Sequence, residues 1–259
     1  MTCEACEKHI SIIRSLEERN EQLMRLDELK TNLTSFIIHD LKGPISAIIG
    51  NLDMLSCEPL TPQQLDYLNI SLGDAYRLQR MALNILDVLK LEDSMVQILR
   101  EKTDMRALAE KEAMSFKSIL SRRNIELAVE GSPRLCSIDK SLIGRTISNL
   151  LLNAIEHSPD NARITISIEH DNNRKETVVA VSDQGPGVPV ELREKIFDKF
   201  FQAAEGRKHR KTTTGLGLTF CKLAVNDHGG NIRVEDAEPC GARFVFILPD
   251  FPFIEGGDF

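Results

Sequence analysis

No uninterrupted apolar stretch in the 259 residues approaches the roughly 20 that a spanning helix needs. The opening MTCEACEKHI lacks the apolar centre of a secretory signal. The expectation is a chain without a membrane segment, located in the cytoplasm. Positive charge is not in excess either: 32 Lys and Arg stand against 39 Asp and Glu, net −7. That excludes a nucleic-acid binder working by bulk charge and confines any polyanion site to a local patch. The six cysteines, Cys3, Cys6, Cys57, Cys136, Cys221 and Cys240, have no disulfide-scaffold spacing and are expected as reduced thiols. What is present, 42% hydrophobic and 27% charged side chains, is ordinary globular composition with enough chain for one large or two smaller cores. Disorder and collagen are thereby excluded.

The first zone, about residues 7–97, is long helical pattern broken near Cys57 to Pro62, a helical hairpin. Leu16 and Leu23, Leu26 and Leu33, and Leu29 and Phe36 are each seven apart but share no single register, so a phase shift falls near residues 24–26 of a coiled-coil lead-in. Leu33, Ile37, Leu41, Ile45, Ile48, Leu52 and Leu55 then step by three or four and define one apolar stripe. Leu68, Leu72, Ala75, Ala82, Ile85 and Leu89 define a second. Two helices leave too narrow a core, and a homodimeric four-helix bundle completes it.

From about Thr103 the period changes. The pattern predicts a helix through Leu120, a strand Ile125 to Val129, a helix Asp139 to His157, and strands Arg163 to Glu169 and Thr177 to Ser182. A helix Gly217 to Asp227 and strands Ile232 to Glu235 and Arg243 to Leu248 follow. Tight turns between strands favour a mixed, mostly antiparallel sheet covered by helices on one face. The fold class is therefore α+β, a dimeric helical hairpin followed by an α/β sandwich. Its expected parts are a signalling helix (1–30), a helical hairpin (31–98), the sandwich (103–250) and a tail (251–259).

At about 100° per residue His39 lies about 200° from both Ile37 and Leu41, off the stripe and toward solvent. Asp40 can take a proton from one ring nitrogen or hold its tautomer, leaving the other as a nucleophile. Gly43 removes bulk one turn on, and Pro44 is expected to bend the helix. Alone, His39 reads as one surface histidine among six. The whole string FIIHDLKGPISAI resembles the phosphoacceptor box of sensor histidine kinases. The resemblance implies His39 as the phosphorylated residue and Asp40 as its acid/base partner. Family members with strong phosphatase activity carry Thr or Asn, which positions the hydrolytic water, where this chain has Gly43.

In RTISNLLLNAIEHSP, Asn149 and Asn153 are four apart and share a helix face. Their oxygens can take magnesium or their amides phosphates, or the pair caps the helix or simply faces water. VAVSDQGPGVP ends a strand in Asp183, a carboxylate able to accept from an exocyclic amino group, though an Asp-Gly turn accounts for it equally. In TTTGLGLTFCKLAVNDHGGNI, Gly215 and Gly217 allow backbone approach to an anion before a helix N-terminus. No Walker lysine motif is present. Arg207, Lys208, Arg210 and Lys211 concentrate positive charge just upstream, as a mobile loop or lid would. The order of asparagine box, Asp-x-Gly-x-Gly (Asp183, Gly185 and Gly187), phenylalanine box (IFDKFFQ) and Gly-Leu-Gly-Leu resembles the ATP-binding domain shared by histidine kinases, gyrase, Hsp90 and MutL.

With the His39 box, the likeness to a sensor histidine kinase core covers most of residues 30–249. It implies ATP and Mg2+ as cofactors, with Asn153 on magnesium, Asn149 supporting the phosphates and Asp183 recognising adenine. It implies that Gly185, Gly187, Gly215, Leu216 and Gly217 shape the pocket and lid. Glu156 and His157 stand where relatives often carry Lys and an aromatic. The implied activity is ATP-dependent phosphorylation of His39, with transfer to an aspartate of a response-regulator receiver domain and control by an upstream sensor domain or partner. No nucleic-acid partner is expected. A gyrase- or MutL-like ATPase and a non-catalytic dimeric scaffold are the alternatives. Cys3, Cys6 and His9 form a C-x-x-C-x-x-H that supplies three zinc ligands, or six across a dimer, or else is a frayed terminus or a remnant of a sensor domain.

Overall fold

The computed structural model describes residues 4–92, 98–201 and 215–251, apart from the side chains of 4–11, 23, 26–40, 77, 80, 90 and 92. Outside the described residues lie the side chains of Cys3, Cys6, His9, Leu23, Leu26, His39 and Asp40. So do the basic cluster Arg207 to Lys211 and the tail beyond Phe251. The chain divides into two compact units, Met1–Leu89 and Lys90–Phe259.

The first unit is a hairpin of α1 (Glu4–Leu55) and α2 (Pro62–Glu92). α1 stays one helix through Pro44. Thr61 and Gln64 start α2 with a reciprocal capping box. The Gln64 amide donates to Thr61 Oγ1 at 3.3 Å and the Thr61 amide to Gln64 Oε1 at 2.9 Å, with Pro62 in the first helical position where its missing N–H costs nothing. Ile45, Ile49 and Ala75 form the buried cluster, with Leu52 packed on it.

The single apolar stripe expected on α1 is in fact two rows. Leu41, Ile48 and Leu55, each seven apart, are 44%, 50% and 48% exposed, while Ile45 is 3% and Ile49 7% exposed. One α2 helix is too narrow to cover both rows, so the outer row stays uncovered within one chain. On α2, Leu68, Ala75 and Ala82 are buried as a similar seven-residue row.

The second unit begins with β1 (Glu101–Asp104), α3 (Met105–Met114), α4 (Lys117–Arg122), β2 (Glu126–Gly131), β3 (Leu135–Ile138) and α5 (Lys140–His157). β4 (Arg163–Asp171), β5 (Glu176–Ser182), α6 (Gly217–Asp227), β6 (Asn231–Asp236) and β7 (Ala242–Pro249) follow. Two single 3-10 turns, Val190–Leu192 and Lys195–Phe197, lie between β5 and α6. The main sheet runs β2-β4-β5-β7-β6, parallel only between β2 and β4. One face carries Ile164, Ile166 and Ile168 of β4, Val179 and Val181 of β5, and Phe244, Phe246 and Leu248 of β7, all buried. Register aligns them across the strands, Ile166 with Val181 and Val181 with Phe244. α3, α5 and α6 cover this face, so the mixed, mostly antiparallel sandwich expected from the pattern is the fold.

Two local expectations fail. The helix expected from Thr103 through Leu120 starts only at Met105, because Asp104 turns its carboxylate back as a cap. Its Oδ1 accepts from the Arg106 amide at 2.9 Å and the Ala107 amide at 3.4 Å. The same stretch breaks again at Ser115 and Phe116, between α3 and α4. The residues before the cap are β1, antiparallel to β3, a strand of four residues too short to show a period.

Asp139 is the N-cap of α5, one residue outside the helix expected to begin there. α5 buries Ile143, Ile147, Leu150, Leu151, Ala154 and Ile155 completely. Its C-terminal carbonyls are taken by Arg123, whose guanidinium donates to the Ile155 and Ser158 carbonyls and pairs with Asp160. Among the described residues no helix is long and apolar enough to cross a membrane. Arg123→Ala is expected to destabilise this unit by about 1–3 kcal/mol, the cost of leaving half-buried carbonyls without a donor, read as a lower urea midpoint at unchanged slope.

Candidate nucleotide-binding site

α5 lays its apolar side on the sheet, so the polar residues that can face a ligand are those left over. Asn149 and Asn153 are both half-buried. Asn149 donates through Nδ2 to the Gly217 carbonyl at 3.5 Å, which joins α5 to the first residue of α6. Asn153 has no protein partner among the described residues, and its amide oxygen is a hard, neutral donor of the kind magnesium accepts.

Asp183 follows the last residue of β5 and is 4% exposed. Its Oδ1 accepts from the Gly185 amide at 2.8 Å and from the Ala242 amide at 3.0 Å, while its own amide donates to the Ala242 carbonyl at 2.9 Å. Burial pushes this carboxyl up from the usual range, and the two amides and the nearby His157 pull against that. Both bonds fall on Oδ1, which leaves Oδ2 for a ligand N–H.

The loop beyond Asp183 is pressed against the end of α5: a methyl on Gly185 would stand 2.8 Å from the His157 carbonyl oxygen. Gly187 lies beside the Gly241 carbonyl, 3.1 Å from where its own Cβ would be. Arg193 ties the loop down, donating to the Val188 carbonyl at 3.2 Å and pairing with Asp236 at the end of β6.

Gly215 has φ +69, and an added Cβ would meet the Phe200 carbonyl carbon and the Phe201 oxygen at 2.7 Å. Only glycine fits there. The Phe200 amide donates to the Gly215 carbonyl at 3.1 Å, so residues 200 and 215 are held together on either side of 202–214. Leu216 is 2% exposed and caps α6 through its backbone, accepting from the Phe220 amide at 2.9 Å, so its side chain belongs to the core. Gly217 opens α6 next to Asn149. The structure therefore brings Asn149 to Gly217, and Asp183 and Gly185 to the end of the helix that carries Asn153.

Gly241 belongs to no motif in the sequence, yet it is part of this arrangement. It has φ +108, and a Cβ there would lie 2.0 Å from the Asp183 carbonyl oxygen. A glycine at the tip between two expected strands was the available signal, but the close approach involves a residue 58 positions away. His228 was also passed over. It is fully buried; its Nδ1 donates to the Ala224 carbonyl at 2.7 Å and its Nε2 accepts from the Asp139 amide at 3.0 Å. That pair of bonds requires the neutral ring.

Burial lowers the pKa of His228, and Arg100 lowers it further, while the Ala224 carbonyl, Asp139 and Asp227 raise it. A depressed folded value means that the stabilisation is complete above the ordinary imidazole pKa of about 6.5. It is lost as pH falls from there through the folded value. The urea midpoint of the wild type should therefore drop between pH 7 and pH 5. His228→Gln, which has no imidazole to titrate, should be less stable at pH 7 and show a flatter decline.

Comparison with known proteins gives the same two parts. Residues 29–94 match the family described as the His Kinase A (phospho-acceptor) domain. Residues 138–252 match the histidine kinase-, DNA gyrase B- and HSP90-like ATPase family. The sensor histidine kinase TmoS of Ectopseudomonas mendocina is 30% identical over 238 residues, covering 90% of this chain and 24% of that protein. The chain spans a quarter or less of several curated relatives. Among solved structures, the mycobacterial sensor histidine kinase MprB is 31% identical with a TM-score of 0.50, covering 60% of this chain and all of that one. Histidine kinase ThkA, in complex with response regulator protein TrrA, is 27% identical with a TM-score of 0.61, covering 93% of this chain and 67% of that one. A phosphoacceptor hairpin followed by this ATPase sandwich is shared with these proteins along the sequence and in the fold, and the chain belongs to the sensor histidine kinase family.

Proposed function

We propose that this chain is the catalytic core of a sensor histidine kinase that phosphorylates its own His39 from ATP and passes the phosphoryl group to an aspartate of a response-regulator receiver domain. The observation that carries the reading is the anchored carboxylate of Asp183. It is buried, fixed at one oxygen by two backbone amides, and set against the helix that carries Asn149 and Asn153. An acceptor so held suits the exocyclic amino group of adenine. The glycine step at the start of α6 suits the phosphates, whose charge the helix N-terminus favours. Magnesium, when bound, offsets charge on the β- and γ-phosphates. Asn153 is the residue assigned to hold it, because its amide has no other protein partner among the described residues.

The transfer needs only groups already named. The unprotonated nitrogen of His39 attacks the γ-phosphorus, the bond from that phosphorus to the β,γ-bridging oxygen breaks, and ADP leaves with the electron pair. Asp40 takes the proton from the other ring nitrogen, so the product is a neutral imidazole bearing the phosphoryl group. The receiver aspartate then attacks that phosphorus; the N–P bond breaks as Asp40 returns its proton to the ring, and His39 leaves as neutral imidazole. The bound regulator in the ThkA structure supports a partner of this kind.

The uncovered row Leu41, Ile48 and Leu55 supports a second copy of the hairpin as the cover, giving a four-helix bundle. Gly43 offers no side chain to position a hydrolytic water, which favours the kinase direction over dephosphorylation. With the chain spanning a quarter or less of several relatives, we place it as the cytoplasmic part of a longer sensor or the companion of a separate one.

Incubation with ATP labelled at the γ-phosphate tests this. Label should enter the chain as an acid-labile, base-stable product and be absent from His39→Ala. Asn153→Ala should slow labelling by about a hundredfold, the scale of losing a group that stabilises transition-state charge. Asp183→Asn should weaken nucleotide binding by roughly 10- to 100-fold, since its amide opposes an amino group where a carboxylate accepted one. Phosphate release without phosphoprotein would replace the kinase reading with that of a gyrase- or MutL-like ATPase, and failure to bind nucleotide with that of a scaffold.

A further inference from the structure

α5 and α6 run antiparallel and are joined by polar contacts at three levels. At one end the Asp139 amide donates to His228 Nε2 at 3.0 Å. In the middle the Cys221 thiol lies 3.7 Å from the Thr146 carbonyl oxygen. At the other end Asn149 reaches the Gly217 carbonyl at 3.5 Å. The spacings match: ten residues from Asp139 to Asn149 and eleven from Gly217 to His228 are each about 15–16 Å of helix. The rungs therefore fix one axial register of α5 against α6, and the last rung lies between Asn149 and the glycine step.

The first rung is also where the chain enters this unit. Asp139, 9% exposed, uses Oδ1 to cap α5, accepting from the Ser141 amide at 3.0 Å and the Leu142 amide at 3.1 Å. Its Oδ2 accepts from the backbone amide of Leu99 at 3.2 Å. The next residue holds the same segment down. Arg100 donates to the Ser137 carbonyl at 3.2 Å and lies 3.8 Å over the ring of Phe251. The Leu99 side chain itself is 71% exposed, so only its N–H is bound in. One carboxylate thus holds the lead-in segment and the start of α5 at once, and its own backbone is held by the end of α6.

We infer that Asp139 and His228 are positioning residues for the nucleotide site: docking of residues 98–100 on Asp139 sets the α5–α6 register, and so the distance of Asn149 from Gly217. The segment lies between the hairpin and the ATPase unit in sequence, so a change that pulls it from Asp139 loosens the far end of the helix pair. The inference rests on the nucleotide reading of that far end.

The test uses the full chain and two variants that leave the apolar core untouched. Leu99→Pro removes the one N–H. Asp139→Asn keeps one oxygen for the α5 cap and sets an NH2 against Leu99, so it answers the question if the proline variant does not fold. Leu99→Ala keeps the N–H and serves as the control. Binding of AMPPNP is measured by calorimetry, and backbone hydrogen exchange is followed in the absence of nucleotide.

The expected result is AMPPNP affinity weaker by about fivefold or more in Leu99→Pro and Asp139→Asn, with wild-type affinity in Leu99→Ala. Exchange should rise in the first turn of α5 and at residues 217–219, with β4 and β5 unchanged. Equal affinity in all four proteins overturns the inference. So does faster exchange spread evenly through the unit, since that makes Asp139 a general support of the fold. A wild type that fails to bind AMPPNP overturns the nucleotide reading instead, while the exchange pattern still decides the coupling.

Discussion

A helix that buries one whole side against a sheet has only a narrow strip left for polar chemistry, and this constraint on α5 governs the second unit. Ile143, Ile147, Leu150, Leu151, Ala154 and Ile155 are all fully enclosed. At roughly 25 cal/mol per Å2 of apolar surface, burying each of the Ile and Leu side chains contributes about 1.5–3 kcal/mol relative to leaving it exposed, and the Ala154 methyl less. No rotation of the helix could keep that stabilisation and turn a different set of residues outward. The asparagines, the capping Asp139 and the terminal carbonyls held by Arg123 are therefore fixed in orientation by packing before any ligand arrives.

The remaining site parts are one carboxylate and the backbone groups around it, and they come from chain segments brought close by the sheet. β5 delivers Asp183, and the tip between β6 and β7 delivers Gly241 and the Ala242 amide that pins it. Strand order explains the meeting: β5 and β7 are neighbours although 59 residues separate Asp183 from Ala242. The register that aligns Val181 with Phe244 carries the pairing to this end of the sheet, where Ser182 faces Arg243 and Asp183 bonds Ala242. The glycine at the tip thus lets this close approach to Asp183 happen, because a side chain there would collide with the Asp183 carbonyl oxygen.

Periodicity made the large elements readable and was blind to the small ones. α6 matches its expected span because Phe220, Ala224 and Val225 recur at helical spacing between a glycine pair and a histidine-glycine stop. β1 and β3 hold four residues each, too few for a period of two to stand out, and Asp104 was absorbed into a helix that it in fact caps. Asn149, Asn153 and Asp183 stood out because their polar side chains interrupt apolar runs, while their roles were implied only by the family resemblance. Gly241, Arg193 and His228 were not, because each acts across a long sequence separation on a backbone group, and nothing in their immediate neighbours records the partner. The hairpin shows the complementary limit: spacing revealed that Leu41 through Leu55 were apolar on one side, but splitting that side into an inner and an outer row required knowing the width of α2.

On the adenine reading proposed for Asp183, the way its carboxylate is held decides which bases it would admit. In its ionised form a carboxylate can only accept, and its two anchoring amides leave it no freedom to rotate a donor into place. Guanine presents a carbonyl on the edge where adenine carries its amino group. Two oxygens would then face each other in a buried setting with no hydrogen between them, and each would forfeit its solvation. On that proposed reading, discrimination between purines rests on one fixed oxygen, independently of how the sugar or phosphates are gripped.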